Sequence, residues 1–341
     1  MKRARVLGIL VAALALSVFT ALLSGSVPVP AHAVAAALIE SVPGVDLEAT
    51  PSQRAIVVHL RLPRVLLAAV VGGSLALSGA VLQGLFRNPM ADPAIIGISS
   101  GAAFGAVFAV TSGLALARPW TLPFCAFLVA TGTTFAIYRL ATRGGRTPLA
   151  ALLLAGLALS ALLSALTSFL LGLAQNLLIL RELIFWLLGG LDGRSWLHLR
   201  FVILLAFVGS VALCFFAWDL NLMAASGEEG ARSLGVEMQR LKRWLLLVTA
   251  LVTGAVVSVS GTIGFVGLLV PHAVRLLAGP DHRVLLPASF LGGASFLVLA
   301  DLLARTLSPR EELRLGVVTA AVGAPFFLFL LQRHRGYSEA I

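Results

Sequence analysis

The sequence predicts an all-α, polytopic membrane protein of about ten transmembrane helices, and three observations predict it. Of 341 residues, 59% are hydrophobic and only 12% are charged, with a mean hydropathy of +1.00; a soluble globular chain carries roughly 25% charged residues. The apolar residues come in repeated runs near the ~20 residues that cross a bilayer as helix. These runs are apolar all round, whereas the strands of a membrane β-barrel alternate apolar and polar residues.

Ten runs carry the count: 6–23, 65–83, 94–116, 120–140, 149–171, 199–218, 244–260, 265–278, 284–303 and 315–331, the eighth of them short. They read as one transmembrane domain over residues 1–341. The start has some features of a secretory signal, with Lys2, Arg3 and Arg5 before an apolar stretch and Ala31-His32-Ala33 after it. The stretch exceeds the 7–15 apolar residues of a signal, however, and Pro28 and Pro30 intervene. It reads as a retained first helix.

The basic N-terminus sets that end inside by the positive-inside rule, and ten helices return the C-terminus to the same side. Fifteen of the 25 Lys and Arg residues then fall inside and ten outside. The bias is shallow, and the outside arginines read as a surface kept basic for a partner. The net charge of +10 is scattered singly at the ends of apolar runs, without the basic stripe that nucleic-acid binding uses. Cys125 and Cys214 lie in separate apolar runs, a spacing that builds neither a disulfide framework nor a metal site.

Chemistry is scarce. The one carboxylate inside a run is Asp301, with Arg305 four positions later on the same helical face, a spacing that lets them pair. Ion-coupled carriers use intramembrane carboxylates, so a proton-coupled secondary transporter is the lesser reading. A P-loop needs Gly-Lys-Ser/Thr, and the two lysines, Lys2 and Lys242, follow Met and Leu. No catalytic constellation stands out, and His272, after Pro271, reads as a packed histidine before it reads as a metal ligand.

The longest inside loop, 219–243, has strong local grammar. Ser226-Gly227-Glu228-Glu229 reads as a capping box with Ser226 as N-cap and Glu229 at N3. The two glutamates suit the positive end of a helix dipole, Arg232 follows in the next turn, and Gly235 supplies a left-handed stop. A second short stretch, 236–243, completes two short helices joined by a tight turn, placed where an intracellular partner could seat them.

Four blocks then resemble the permease subunits of binding-protein-dependent ABC importers for iron complexes and vitamin B12, the FecCD type. They are RLPR (61–64) with SGAVLQGLFRNPMADP (78–93), SGEEGARSLGV (226–236), GTIGFVGLLVPH (261–272), and GVVTA (316–320) with Gly323-Ala324-Pro325. The resemblance implies a homodimer of ten-helix subunits in a bacterial inner membrane, with both termini cytoplasmic. It implies two ATP-binding subunits below, which use ATP and Mg, and a periplasmic substrate-binding protein above. This chain itself would be no enzyme and would bind no cofactor.

Residue by residue, the resemblance implies that Arg61, Arg64 and Arg305 dock glutamates of the binding protein. Ser226, Glu228, Glu229, Ala231, Arg232, Leu234 and Gly235 would couple to the ATPase, and Asn88 would stand at the cytoplasmic gate. Two departures from the pattern matter: Glu312-Leu313 is followed by Arg314 and not by Pro, and the stretch 145–150 lacks the small hydroxyl pair expected at a second gate, so gate residues there stay unassigned. The stretch 180–189 looks more like the iron-complex and hemin branch, with Arg181 near the outer mouth to attract substrate acids. Hemin is therefore placed slightly ahead of a ferric siderophore, with cobalamin as the alternative.

Overall fold

The computed structural model describes residues 2–25, 27–39, 49–118, 120–174, 176–307 and 312–338, and these are helical almost throughout. Ser308 and Arg310, both placed outside by the topology, lie beyond the described residues. In chain order the helices are α1 (Lys2–Leu23), α2 (Ala31–Ile39), α3 (Pro51–Ala55), α4 (Leu62–Phe86), α5 (Ile98–Thr111), α6 (Leu114–Ala117), α7 (Thr121–Ala141) and α8 (Leu149–Gly172). There follow α9 (Leu177–Leu187), α10 (Trp196–Phe215), α11 (Ala217–Ser233), α12 (Met238–Ser260), α13 (Val266–Ala278), α14 (His282–Thr306) and α15 (Leu315–Ser338).

Every one of the ten apolar runs folds as helix, but among the described residues only seven are long and apolar enough to cross a membrane by themselves. The shorter apolar helices are α5, α13 and the segment Leu315–Leu328 of α15. The run at 94–116 is divided: Asp92 caps a 3-10 turn (Pro93–Ile96), and Gly97 in the left-handed region redirects the chain into α5. The run at 65–83 is extended instead. Thr50 and Gln53 form a reciprocal capping box at the start of α3, and a π segment (Ile56–Arg61) joins α3 to α4 in one 36-residue rod.

The centre of the bundle is α4 with α12 and α14 packed around it. Hydrocarbon chains are as apolar as leucine, so membrane helices associate through small residues that admit close approach. A Cβ on Gly79 would stand 1.8 Å from the Gly267 carbonyl oxygen of α13, and one on Gly72 would stand 2.2 Å from the Gly293 oxygen of α14. Around this centre α1, α7, α8 and α10 turn large apolar side chains outward, including Leu16, Phe135, Leu157, Phe169 and Phe207.

The polar contacts gather at two ends. The near end holds the N-terminus of α1, where Arg3 pairs with Asp281 at 2.9 Å. Asp281 also caps α14 through the Arg283 N–H and accepts from Asn221 at 2.7 Å. The Arg283 guanidinium, donating to the same carboxyl at 2.9 Å, does most to hold it below the ordinary range, and the Asn221 and Arg283 N–H bonds add to this. The far end holds the C-terminus of α1 and the starts of α4 and α10.

Candidate functional site

At the far end the RLPR block does not face outward as a docking surface would. Arg61, set by the last turn of the π segment, is buried and donates to the carbonyls of Leu22 (2.7 Å), Leu23 (3.0 Å) and Val27. It thus satisfies the carbonyls that the end of α1 leaves without helical partners. Arg305 does related work, donating to the Ala21 carbonyl at 3.2 Å while its Nε pairs with Asp301 at 3.1 Å. The Asp301–Arg305 pair expected from the i,i+4 spacing is therefore present, and it is one edge of a larger cluster.

Arg64 is the hub. Its Nε lies 3.1 Å from both oxygens of Asp301, its Nη2 2.9 Å from Asp301 and 3.1 Å from Asp192, and its Nη1 2.8 Å from Glu312. Arg314, the residue that departs from the family pattern, reaches Asp192 and lays its guanidinium 3.7 Å from the Phe185 ring centre. Arg181 lies over the same ring at 5.0 Å and is exposed on α9. Burial lifts the Asp192 carboxyl to about 6; its hydrogen bond to Glu312 adds to the rise, and Arg64 and Arg314 oppose it. A cavity of ≈ 550 Å³ opens beside the cluster, lined by Glu182, Phe185, Asp192, Arg194 and Arg314 among others.

The sequence reading set Arg61, Arg64 and Arg305 on the surface, and the structure places them inside the chain's own charge cluster. The reason is tertiary: three carboxylates and three helix-end carbonyls from distant segments converge on them. Among the described residues, Arg54, Arg118, Arg181 and Arg200 are exposed cations at the far end.

At the near end the block 226–236, expected to couple to the ATPase, has a different internal construction. α11 breaks at Gly227 (φ 75, ψ −177), backbone that is essentially glycine-only, and a short helix resumes at Glu228. The Ser226 hydroxyl donates back to the Leu222 carbonyl at 2.8 Å. Ser226 thus closes the preceding turn and is not the N-cap; the break takes that place. The stop at Gly235 is as expected, with φ 93. The Gly235 N–H bonds to Arg232 O and the Val236 N–H to Ala231 O, both at 3.0 Å, which is a Schellman closure. Ala231 is buried beneath the turn, while Glu229, Arg232 and Leu234 project, Leu234 at 62% exposure. The expected second short helix over 236–243 is instead the opening of α12, which starts at Met238 and runs on into the bundle.

Glu228 points inward. Its Oε1 accepts from Lys242 Nζ at 2.7 Å, and Lys242, only 1% exposed, also donates to the Thr147 carbonyl at 2.9 Å. The Thr147 hydroxyl donates to Gln239 at 2.9 Å and meets the Thr142 hydroxyl at the same distance. Thr147 is the one hydroxyl residue of 145–150, and its hydroxyl partner Thr142 comes from the C-cap of α7, outside that stretch. Asn88 is exposed; its side chain accepts from the Met90 N–H at 2.9 Å and holds the turn after α4. The neighbouring Arg87 ends α4 in the left-handed region, and its Nη1 lies 3.2 Å from where a Cβ on Gly227 would stand. The turn after α4 and the break in α11 are thus in contact. Sequence reasoning missed Lys242, Thr147 and Arg87; the signal available was a lone lysine (Lys242) at the head of an apolar run.

Residues 13–333 match the family model described as the FecCD transport family. The chain belongs to that family. Among FecCD-type relatives it is 48% identical to the cobalamin import system permease protein BtuC of Halobacterium salinarum, over 91% of this chain and 80% of that one. It is 43% identical to the hemin transport system permease protein HmuU of Yersinia pestis, over 81% of this chain and 83% of the other. A solved structure of a metal-chelate type ABC transporter in an inward-facing conformation superposes with a TM-score of 0.85 at 34% identity, covering 97% of this chain and 99% of its own. The FecCD match spans both charged ends, so the far cluster and the near coupling block stand within one family fold.

Proposed function

We propose that this chain is the permease subunit of an ATP-driven, binding-protein-dependent importer, working as a homodimer of ten-helix subunits in a bacterial inner membrane. The near end lies in the cytoplasm. The observation that carries the reading is the coupling block: a short helix bounded by Gly227 and Gly235, with Leu234 and Arg232 projecting and its root fixed by the buried Glu228–Lys242 pair. Such a segment can receive force from a partner and pass it to α12 and the loop before α8. Two ATP-binding subunits bind there and use ATP and Mg, and this chain binds no cofactor of its own.

The far end receives the substrate-binding protein. Arg61, Arg64 and Arg305 act on that docking by holding the platform, and Arg54, Arg118, Arg181 and Arg200 supply the exposed positive charge that speeds association. The substrate is a metal complex of a tetrapyrrole-type macrocycle. Hemin, favoured by Arg181 at the mouth, and cobalamin, favoured by the 48% relative, are supported equally.

The test is reconstitution with the cognate ATPase and binding protein, assaying hemin, cobalamin and a ferric siderophore side by side. Uptake of hemin or cobalamin that requires ATP and ignores a protonophore is the expected result. Uptake that survives without ATP and collapses with a protonophore would establish a secondary carrier instead, and transport of the siderophore alone would overturn the macrocycle assignment.

A further inference from the structure

A groove of ≈ 370 Å³ lies between the last turns of α7 and the first turns of α12, and its lining sorts along the two helices. Arg139 and Arg243 line its end nearest the helix termini, Tyr138 stands beside them, and Phe135, Leu246 and Leu247 follow one turn further along α7 and α12. Both arginines are exposed, and neither has a carboxylate partner among the described residues. Arg243 Nε lies 3.4 Å from the Tyr138 hydroxyl, and Arg139 lies 6.0 Å from the Phe135 ring centre. Arg143 and Arg146 follow in the adjoining loop, also exposed. Further along the groove Thr131 Oγ1 is buried without a hydrogen-bond partner. It sits eight residues before Arg139, about 12 Å further along the helix.

We propose that this groove binds an anionic phospholipid, with the headgroup phosphate between Arg139 and Arg243 and an acyl chain along Phe135, Leu246 and Leu247. The charge is complementary, because two exposed guanidinium groups line one end of the groove and no carboxylate among the described residues pairs with them. Planar guanidinium forks match phosphate oxygens geometrically. The depth is right as well, since the cations stand where two spanning helices leave the membrane and the apolar walls run inward from them. Basic pockets between membrane helices on the cytoplasmic side commonly hold anionic headgroups. The inference rests on the proposed membrane orientation and is independent of the substrate.

The experiment is a lipid titration of the full-length permease in a non-ionic detergent, read as thermal unfolding. Phosphatidylglycerol should raise the melting temperature in a salt-sensitive way, and phosphatidylcholine at the same mole fraction should not. Arg139→Gln with Arg243→Gln should weaken the response about tenfold, the Lys/Lys pair should keep most of it, and Arg240→Gln should leave it unchanged. If the Gln pair fails to fold, Leu247→Trp, which fills the groove and leaves both arginines, should abolish the response. An undiminished phosphatidylglycerol response in these variants would overturn the proposal. So would an equal response to phosphatidylcholine, or inorganic phosphate reproducing the shift. Protection of the two arginines from chemical modification by the ATPase subunit alone, without lipid, would assign the patch to a protein partner and refute the lipid site.

Discussion

At the far end Arg61, Arg64, Arg305 and Arg314 turn into the protein, and each reaches a carboxylate or a helix-end carbonyl of the same chain. At the near end Arg139, Arg143, Arg146 and Arg243 lie exposed, with no carboxylate partner among the described residues. The difference accounts for the shallow fifteen-to-ten split of basic residues across the predicted topology. The positive-inside rule concerns charge left in short loops at the membrane boundary, and several of the cations on the far side have been withdrawn from that count. The withdrawn charge at the far end is structural, holding α1, α4, α14 and the loops around Asp192 and Glu312 together. At the near end Arg3, Arg283, Arg232 and Arg240 make pairs with exposed cation side chains and Lys242 a buried one with Glu228, while Arg139, Arg143, Arg146 and Arg243 keep their charge available.

The largest expected effect tests whether the far cluster is closed. Asp301, 1% exposed, is the shared acceptor of Arg64 and Arg305. Changing Asp301→Asn leaves two buried guanidinium groups under-compensated, and breaking a buried pair in this way costs about 3–5 kcal/mol. Thermal or denaturant unfolding in detergent should show that loss, whereas Arg143→Gln at the near end should stay within about 0.5 kcal/mol of the parent, as exposed substitutions do. Equal effects at the two sites would erase the distinction between the ends.

The second prediction sharpens the comparison from the other side. Glu228→Gln removes the partner of a lysine that is itself almost wholly buried. Glu228 keeps a third of its side chain in solvent, so the expected loss is about 2–3 kcal/mol, below the full cost of breaking a buried pair. The loss should be local: amide exchange should quicken over 228–234 and in the loop carrying Thr147, and coupling of ATP hydrolysis to transport should fall. The Glu228→Met/Lys242→Met pair, similar in volume and uncharged, should regain stability without regaining coupling. Unchanged exchange in Glu228→Gln would show that the pair does not root the block.

Much of this was legible in the sequence, for identifiable reasons. Each long apolar run reports helix directly, and the i,i+4 spacing of Asp301 and Arg305 foretells their pairing because it needs only local geometry. The Gly235 stop is legible for the same reason. The destination of Arg64 is not, because its partner Asp301 is 237 positions away and only the packing of α4 on α14 joins them. The π segment before α4 and the break at Gly227 were hidden as well. Both are read from backbone angles, and Ser226-Gly227-Glu228-Glu229 has the letters of a capping box although Gly227 takes the turn. The short helix α9 was unforeseen because it is too brief to register as an apolar run.

The smallest effect belongs to Asp192, the most exposed acid held by Arg64 apart from Glu312. Unfolded, an aspartate ionises near 3.8; folded, this one does so at about 6, because burial and Glu312 outweigh Arg64 and Arg314. Between those values the folded chain holds a proton that the unfolded chain has released. Stability therefore falls as pH rises through the window and is recovered on acidification. Glu312 is shifted the other way, below its ordinary 4.5, so its contribution is lost only at lower pH and the interval from about 5 to 6 belongs to Asp192. With a third of the side chain in solvent, the expected change is modest, a fall in melting temperature of about 1–2 °C across that interval. Asp192→Asn should flatten the profile there. Arg314→Leu, which removes one of the two cations that favour the carboxylate, should move the fall to higher pH. The same profile in Asp192→Asn as in the parent would mean that another group titrates, and the far cluster would then have no acid poised near neutrality.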